Sequence, residues 1–187
     1  ESLYPGQNTT GLVPLTDFDG QPIWETPPDD AEIERRRDAF HAPYHAALAA
    51  ELDRVKAAHG VAVLFDCHSI RSVIPYLFEG TLPDFNIGTD SGRTCAPAIE
   101  AATLHVASQA EGYTHVLNGR FKGGWTTRHY GRPEMRLHAI QLELAQSTYM
   151  VETPPWTWDD DKASRLRTHL KDILNTLRDL ALKGDLT

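Results

Sequence analysis

The stretch VAVLFDCHSIRS (residues 61–72) begins as an apolar run and then presents five polar or reactive side chains almost without a break. A short, uninterrupted, β-branched run bounded by a glycine and a polar cluster is typical of a strand inside a parallel sheet. The sequence therefore predicts a central parallel strand over 61–66. Ligands of open α/β sheets bind beyond the carboxyl ends of strands, so the polar residues that follow are candidates for a functional site.

The composition indicates a globular protein and excludes several classes of partner. The chain has 187 residues, 41% of them hydrophobic, which is enough for one domain with a core. A formal net charge of −8 argues against nucleic acid or an anionic membrane as the main partner. No apolar run approaches the roughly 18 residues of a membrane span. Two cysteines are too few for a disulfide framework, so we expect a reducing, cytoplasmic setting.

The first third of the chain predicts an irregular segment followed by an interrupted helix. Residues 1–28 contain five of the twelve prolines and little periodicity, which predicts an irregular lead-in. Asp29, with Glu32 three residues on, forms an acidic version of a capping box and indicates a helix start. The helical spacing continues to Gly60, but Pro43 lies inside it and predicts a kink or a break.

Helices and strands alternate in the remainder of the chain. In order, the pattern predicts a loop over 73–94, a helix over 95–112, a strand over 113–119, a glycine-rich loop over 119–136, a strand over 137–146 and a helix over 160–183. The last helix carries an apolar stripe that includes Ile173 and Leu174. This alternation predicts an α/β fold whose mostly parallel sheet is covered on both faces by helices.

The polar cluster after the first strand is the first candidate site. His68 can ligate a metal or act as a general base, although a hydrogen-bonded structural histidine is an equal alternative. Asp66 orients that ring or caps the following turn, and Arg71 completes the cluster. Cys67 is predicted to serve packing, because adjacent side chains on an extended segment point apart.

The strand over 137–146 is the second candidate, because it alternates apolar with polar residues. Gln141 and Glu143 point to the face opposite that of the apolar side chains. A carboxylate on a central strand needs a partner, a cavity or a metal, since an unpaired buried charge is very costly. On a central strand Glu143 is the best general-base candidate in the chain. The alternative is an edge strand with a solvated face.

The third candidate is the glycine-rich segment NGRFKGGWTTRHYGR (residues 118–132). It collects the basic side chains Arg120, Lys122, Arg128, His129 and Arg132 in an acidic protein. Glycines allow close backbone approach to a ligand, and arginines bind carboxylates with two hydrogen bonds. Together with Arg71, the segment indicates a small substrate that bears one or more carboxylates. A solvated hairpin with incidental charges is the alternative.

The five strings SLYPGQNTTGLVP, DCHSIRS, LFEGTLPDFNIGT, HVLNGRFKGGWTTRHYGRP and HAIQLELAQSTYM together resemble the N-formylglutamate amidohydrolase family. That family is related to zinc carboxypeptidases and to the aspartoacylase and succinylglutamate desuccinylase group. The resemblance implies a mixed, mostly parallel α/β sheet of the zinc-carboxypeptidase (phosphorylase/hydrolase-like) type. It also implies one zinc ion and the hydrolysis of N-formyl-L-glutamate to formate and L-glutamate, a step of histidine degradation.

The resemblance also implies roles for individual residues. His68 matches a histidine ligand of the zinc ion, and Glu143 matches the general acid/base. Arg71, Arg120 and Arg128 are candidate binders of the substrate carboxylates. His129 is a further candidate for substrate binding, and Asp66 and Gln141 are candidates for supporting roles.

The chain departs from the family pattern at its beginning. The family's first zinc ligands lie near a PHAG-like motif, which a DLNR-like segment follows, and neither occurs here. Of the usual three or so protein ligands of zinc, only His68 is convincing. We therefore expect a single catalytic domain over 1–187 that forms the carboxyl two-thirds of a longer enzyme. A hydrolase of other N-acyl amino acids, such as succinyl or acetyl derivatives, and an inactive carboxylate-binding fragment are the alternatives.

Overall fold

The computed structural model describes residues 11–184 and 186. These residues form two compact units. One comprises the described residues up to Glu51 together with Val73–Gly80, and the other comprises Leu52–Ser72 and the described residues from Thr81 onward. Of the predicted lead-in over 1–28, residues 1–10 lie outside the described residues, and 11–28 contain neither a helix nor a strand. A single catalytic domain over 1–187 stays a prediction.

The first unit contains the interrupted helix that the sequence predicts. Asp29 caps the N-terminus of helix α1 (Asp30–Arg36), because its carboxylate accepts the backbone N–H of the third helical residue. A π-helical turn (Arg37–His41) then leads into α2 (Ala42–His59), which continues into the second unit. The π-helical turn lies just before Pro43, which confirms the predicted disturbance of the helix. The physical cause is that a proline ring clashes with the carbonyl group one turn earlier in a regular α-helix.

The second unit is built on a four-stranded sheet with the strand order β1-β4-β2-β3. The strands are β1 (Ala62–Ile70), β2 (Phe85–Gly88), β3 (His115–Leu117) and β4 (Leu137–Ala145). The pairs β1/β4 and β2/β3 are parallel, whereas β4 and β2 are antiparallel. The α/β class with a mixed, mostly parallel sheet is therefore confirmed.

Two of the sequence expectations about strands are wrong. In the sheet formed by the described residues β1 lies at an edge, and it continues past 66 to Ile70. The ladder with β4 holds the backbone extended over that whole length, although the side chains of Cys67–Ser69 are exposed. The loop predicted over 73–94 contains β2, whose four residues are too few to show a period.

Helices cover both faces of this sheet. On one face α3 (Pro97–Ser108) and α5 (Asp160–Lys183) pack together over a buried core. That core is apolar and draws on strands and helices alike, including Phe85, Ile87, Ile99, Ile140, Leu142, Leu166 and Ile173. On the other face α4 (Trp125–Tyr130), a six-residue helix inside the predicted loop over 119–136, contacts β4 and β1. No helix within the described part of the chain is long and apolar enough to cross a membrane.

Helix α5 provides a matched test of the core. Ile173 is 0% exposed, whereas its neighbour Leu174 is 46% exposed. We expect Ile173→Ala to lower the free energy of unfolding by about 2–4 kcal/mol, because it leaves a cavity, and Leu174→Ala to lower it by less than about 1 kcal/mol. Urea denaturation of the two variants measures both values. Equal losses would contradict the assignment of the buried face.

Candidate active site

The register between β1 and β4 brings four polar side chains onto one face of the sheet. Asp66 is paired with Gln141 and His68 with Glu143 across the parallel ladder. Because side chains alternate between faces along each strand, residues paired in this way lie on the same face. This face is the one that α4 covers. Two segments far apart in sequence therefore form one cluster, here called the strand cluster: Asp66, His68, Gln141 and Glu143.

Hydrogen bonds order the strand cluster in two pairs. The Nε2–H group of His68 donates to Oδ1 of Asp66 at 3.0 Å. This hydrogen bond raises the pKa of His68, while partial burial of the ring acts in the opposite direction and lowers that pKa. On β4, Nε2 of Gln141 donates to Oε2 of Glu143 at 3.2 Å. Each titratable ring or carboxylate of the cluster is thus held by its neighbour two residues away.

Glu143 is the buried carboxylate of the strand cluster. It is 6% exposed, because β4 is an interior strand of the described sheet. Burial raises its pKa to about 7 and the charge of Asp66 adds to the increase, while His68 and the amide of Gln141 act in the opposite direction. The central placement of this strand is confirmed, and the alternative of an edge strand with a solvated face is wrong. A carboxyl group that titrates near neutrality is suited to general acid/base catalysis.

The glycine-rich segment contributes to the cluster through its backbone. The N–H group of Gly124 donates to Oε1 of Gln141 at 2.7 Å. Thr127, which is fully buried on α4, places Oγ1 3.4 Å from Oδ2 of Asp66 and 3.4 Å from Oε1 of Gln141. Sequence reasoning missed Thr127, since one hydroxyl within a polar, glycine-rich segment has no periodic signal. Its contacts link α4 to both strands.

A close backbone approach explains one of the glycines. Gly88 on β2 is paired with Gln141, and a Cβ atom at Gly88 would lie 2.5 Å from the backbone nitrogen of Gly123. It would also lie 2.7 Å from the carbonyl carbon of Lys122, so no larger residue fits without a backbone shift. Gly123 itself has a φ of +110°, which strongly favours glycine. These two glycines let the segment pass directly over β2.

Arg128 and His129 of the segment make local contacts. Nη1 of Arg128 donates to the carbonyl oxygen of Gly123 at 2.8 Å, which ties the helix to the turn before it. The ring of His129 stacks on Trp125 with the centroids 4.1 Å apart. Burial and the nearby positive charge of Arg132 lower the pKa of His129.

The other two predicted substrate binders lie on different segments. Arg120 is half-buried, and its guanidinium lies 5.3 Å from the ring centroid of Phe121. Arg71 is also half-buried and directly follows β1. Binding of a substrate carboxylate by Arg71, Arg120, Arg128 or His129 stays a prediction.

The prediction that Cys67 serves packing is wrong, because its side chain is exposed. Cys67 lies on the edge strand of the described sheet, and its side chain points to the face opposite the strand cluster. On the same face Oγ of Ser69 is hydrogen-bonded to the hydroxyl of Tyr149 at 2.8 Å.

The donor set fits part of a zinc site. The hydrogen bond between Asp66 and His68 is the carboxylate–histidine arrangement that commonly supports a metal ligand, and it leaves Nδ1 as the free ring nitrogen. Structural and catalytic zinc sites use three or four protein ligands. Within residues 11–184 and 186, however, no three side chains of the His, Cys, Asp or Glu types form a possible metal cluster. The described residues therefore supply one suitable histidine and not a complete site.

The raised pKa of Glu143 predicts a pH dependence of stability. Its pKa is about 7 in the folded protein and about 4.3 in an unfolded chain, so the folded state keeps the proton longer. The contribution of Glu143 to stability is therefore fully present below about pH 4 and is lost as the pH rises toward and through 7. We expect Glu143→Gln to be more stable than the parent above pH 7, by on the order of 3–4 kcal/mol, and to match it near pH 4.5.

Urea denaturation of both proteins between pH 4.5 and 8.5 measures this difference. The exposed residue Glu111 offers a matched control, because Glu111→Gln makes the same chemical change outside the core. A constant difference between Glu143→Gln and the parent across this range would show that Glu143 does not titrate with a raised pKa.

Comparisons with known proteins show which family this chain resembles. The family model of N-formylglutamate amidohydrolase matches residues 1–150. The N-formylglutamate deformylase of Pseudomonas putida is 50% identical over 177 residues, which cover 94% of this chain and 66% of that protein. The enzyme of the same name from Pseudomonas aeruginosa is 51% identical over 171 residues, or 90% of this chain and 64% of that protein. The chain thus spans just under two thirds of the length of these relatives.

Solved structures show the same architecture. The crystal structure of an N-formylglutamate amidohydrolase from Ralstonia eutropha JMP134 superposes with a TM-score of 0.73 and 26% identity, covering 88% of this chain and 59% of that chain. A protein of Agrobacterium tumefaciens shares the fold, with a TM-score of 0.62 and 18% identity over 89% of this chain and 62% of that chain. With the family model matching most of its length, the chain belongs to the N-formylglutamate amidohydrolase family.

Proposed function

We propose that the protein hydrolyses the formamide bond of N-formyl-L-glutamate, releasing formate and L-glutamate. The observation that carries this proposal is the buried carboxyl group of Glu143, with a pKa of about 7, paired in register with the His68–Asp66 pair. Family membership supports the reaction class, an amidohydrolase that acts on a linear amide. The names of the two Pseudomonas relatives support the substrate.

Glu143 is the residue that moves protons in the proposed reaction. Its carboxylate takes a proton from the water that attacks the formyl carbon, and the protonated form then gives a proton to the nitrogen of the leaving amine. A group with a pKa near 7 performs both transfers at neutral pH, because neither its acid nor its base form is scarce. The hydrogen bond from Gln141 holds one carboxylate oxygen in place during both steps.

Arginines hold the substrate in the proposed reaction. N-formyl-L-glutamate carries two carboxylates, and guanidinium groups bind carboxylates through paired hydrogen bonds. We propose Arg71, Arg120 and Arg128 for this role, with His129 as a further contact. Arg71 directly follows the strand that bears His68, and Arg128 lies one residue after Thr127, which contacts the strand cluster. Fixing both carboxylates orients the amide relative to Glu143.

We also propose that His68 is one ligand of a zinc ion. Asp66 supports this role, because it holds the imidazole ring by Nε2 and leaves Nδ1 for a metal. A zinc ion in an amidohydrolase supplies Lewis-acid polarisation of the carbonyl oxygen. The described residues do not complete such a site, so further ligands would have to come from outside them.

The proposed cellular setting follows from the same resemblance. Formate and glutamate are the products that the resemblance implies, and we propose histidine degradation as the context. A reducing, cytoplasmic location agrees with two cysteines that are both free in the structure.

Formate release from N-formyl-L-glutamate by the whole protein tests the reaction. We expect Glu143→Gln to lower kcat by about 10²–10⁴-fold, because the amide cannot exchange the proton, while the exposed Glu111→Gln leaves kcat unchanged. A panel with the N-acetyl and N-succinyl derivatives, in which the release of glutamate is measured for every member, decides between acyl groups. Full activity in Glu143→Gln, or faster hydrolysis of another acyl group, would overturn the corresponding part of the proposal. No release from any panel member would favour an inactive carboxylate-binding protein.

Metal analysis of the whole protein tests the zinc ligand without an activity readout. We expect one zinc ion per chain in the parent and a large loss of zinc in His68→Ala. Asp66→Asn keeps the shape of the supporting residue, and should weaken zinc affinity about 10- to 100-fold because the orienting charge is lost. Zinc retained at parental affinity in His68→Ala would exclude His68 as a ligand.

A further inference from the structure

Glu152, in the loop after β4, joins two segments that are far apart in the sequence. Its Oε1 atom accepts the backbone N–H of Ser72 at 2.7 Å and the backbone N–H of Ser147 at 3.0 Å. Its Oε2 atom accepts the hydroxyl of Ser72. One half-buried carboxylate thus serves three donors, two of them backbone groups.

The two serines occupy equivalent places beyond the active-site strands. Ile70 and Ala145 form the last pair of the β1/β4 ladder, so Ser72 and Ser147 are each two residues past that pair. Where a ladder ends, backbone N–H groups lose their strand partners and need other acceptors. Ser72 is 6% exposed, so its N–H would have little access to water without Glu152. The carboxylate therefore extends the connection between β1 and β4 beyond the ladder.

This connection confines the backbone of Arg71. On one side lies Ile70, which is 7% exposed and belongs to the ladder. On the other side lies Ser72, which is bonded twice to Glu152 and whose carbonyl oxygen accepts the N–H of Leu82 at 2.8 Å. A residue anchored on both sides has few backbone conformations, and the direction of its side chain follows from the backbone.

We infer that Glu152 is a positioning residue, which holds the backbone of Arg71 so that its guanidinium meets a carboxylate of the substrate. This inference rests on the proposed function, in which Arg71 binds substrate. Glu152 does not itself touch the substrate in this scheme. Its effect on the reaction passes through Arg71, and this distinguishes it from a residue that only stabilises the fold.

A double-mutant cycle on KM for N-formyl-L-glutamate tests the coupling. We expect Glu152→Ala to raise KM about tenfold with kcat changed less than about threefold, because binding of the carboxylate weakens. In the Arg71→Ala background, adding Glu152→Ala should change KM by less than about twofold, since the group through which Glu152 acts is absent. A purely structural role predicts the same factor in both backgrounds, and that result would overturn the inference.

Two further variants keep the test decisive. Glu152→Gln keeps an oxygen for both backbone N–H groups, and Ser72 can accept from the new amide, so KM should stay within about twofold of the parent. Glu152→Asp keeps the charge but withdraws the oxygens by one methylene. If the alanine variant does not fold, Glu152→Asp replaces it in the cycle, with a smaller increase in KM that is again lost in the Arg71→Ala background.

Amide hydrogen exchange on the whole protein measures the connection independently of activity. We expect Glu152→Ala to accelerate exchange at Ser72 and Ser147 and Glu152→Gln to preserve their protection. Unchanged exchange in Glu152→Ala would overturn the inference whatever the activity shows. An inactive parent protein would instead contradict the proposed function. A KM that is unchanged in Arg71→Ala would contradict the proposed role of Arg71 in substrate binding.

Discussion

The parallel register of β1 on β4 is the constraint on which the candidate site depends. It pairs His68 with Glu143, and Asp66 with Gln141, on a single face of the sheet. Because side chains alternate with a period of two, a slip of one residue would turn one strand's polar groups into the apolar core. Burial of the apolar side chains on the opposite face therefore specifies the register. The hydroxyl of Thr127, which lies 3.4 Å from both Asp66 and Gln141, favours the same pairing on the polar face.

The same arrangement carries an energetic cost. An interior strand that bears Gln141 and Glu143 gives up apolar burial and desolvates a carboxyl group, which holds its proton more tightly as a result. The backbone N–H of Gly124 and the amide of Gln141 offset part of that cost by satisfying oxygens that water would otherwise solvate. Local conflict between stability and polarity of this kind is expected where a protein performs chemistry.

The proposed catalytic residues and the proposed substrate-binding residues lie on different kinds of structural element. The acid/base residue and the histidine lie on paired strands, which hold atoms in place more precisely than loops do. The candidate carboxylate binders lie on a loop, a short helix and the residue just past a strand end. Such positions need separate fixation. Close packing of Gly88 against Gly123 provides it for the glycine-rich segment, and the acceptor oxygens of Glu152 provide it beyond β1.

The amino-acid sequence by itself determined the features whose physical cause is local. The cap at Asp29, the disturbance at Pro43, the extent of α5 and the two-faced character of β4 all follow from neighbours within a few residues. Only the tertiary structure decided that β1 is an edge strand of the described sheet and that the four residues of β2 form a strand. It also decided that Thr127 contacts the strand cluster and that Glu152 binds Ser72 and Ser147 beyond the ends of β1 and β4. Those outcomes depend on hydrogen bonds between residues as many as 80 positions apart. The periodicity of one segment does not indicate which distant segment it will pair with.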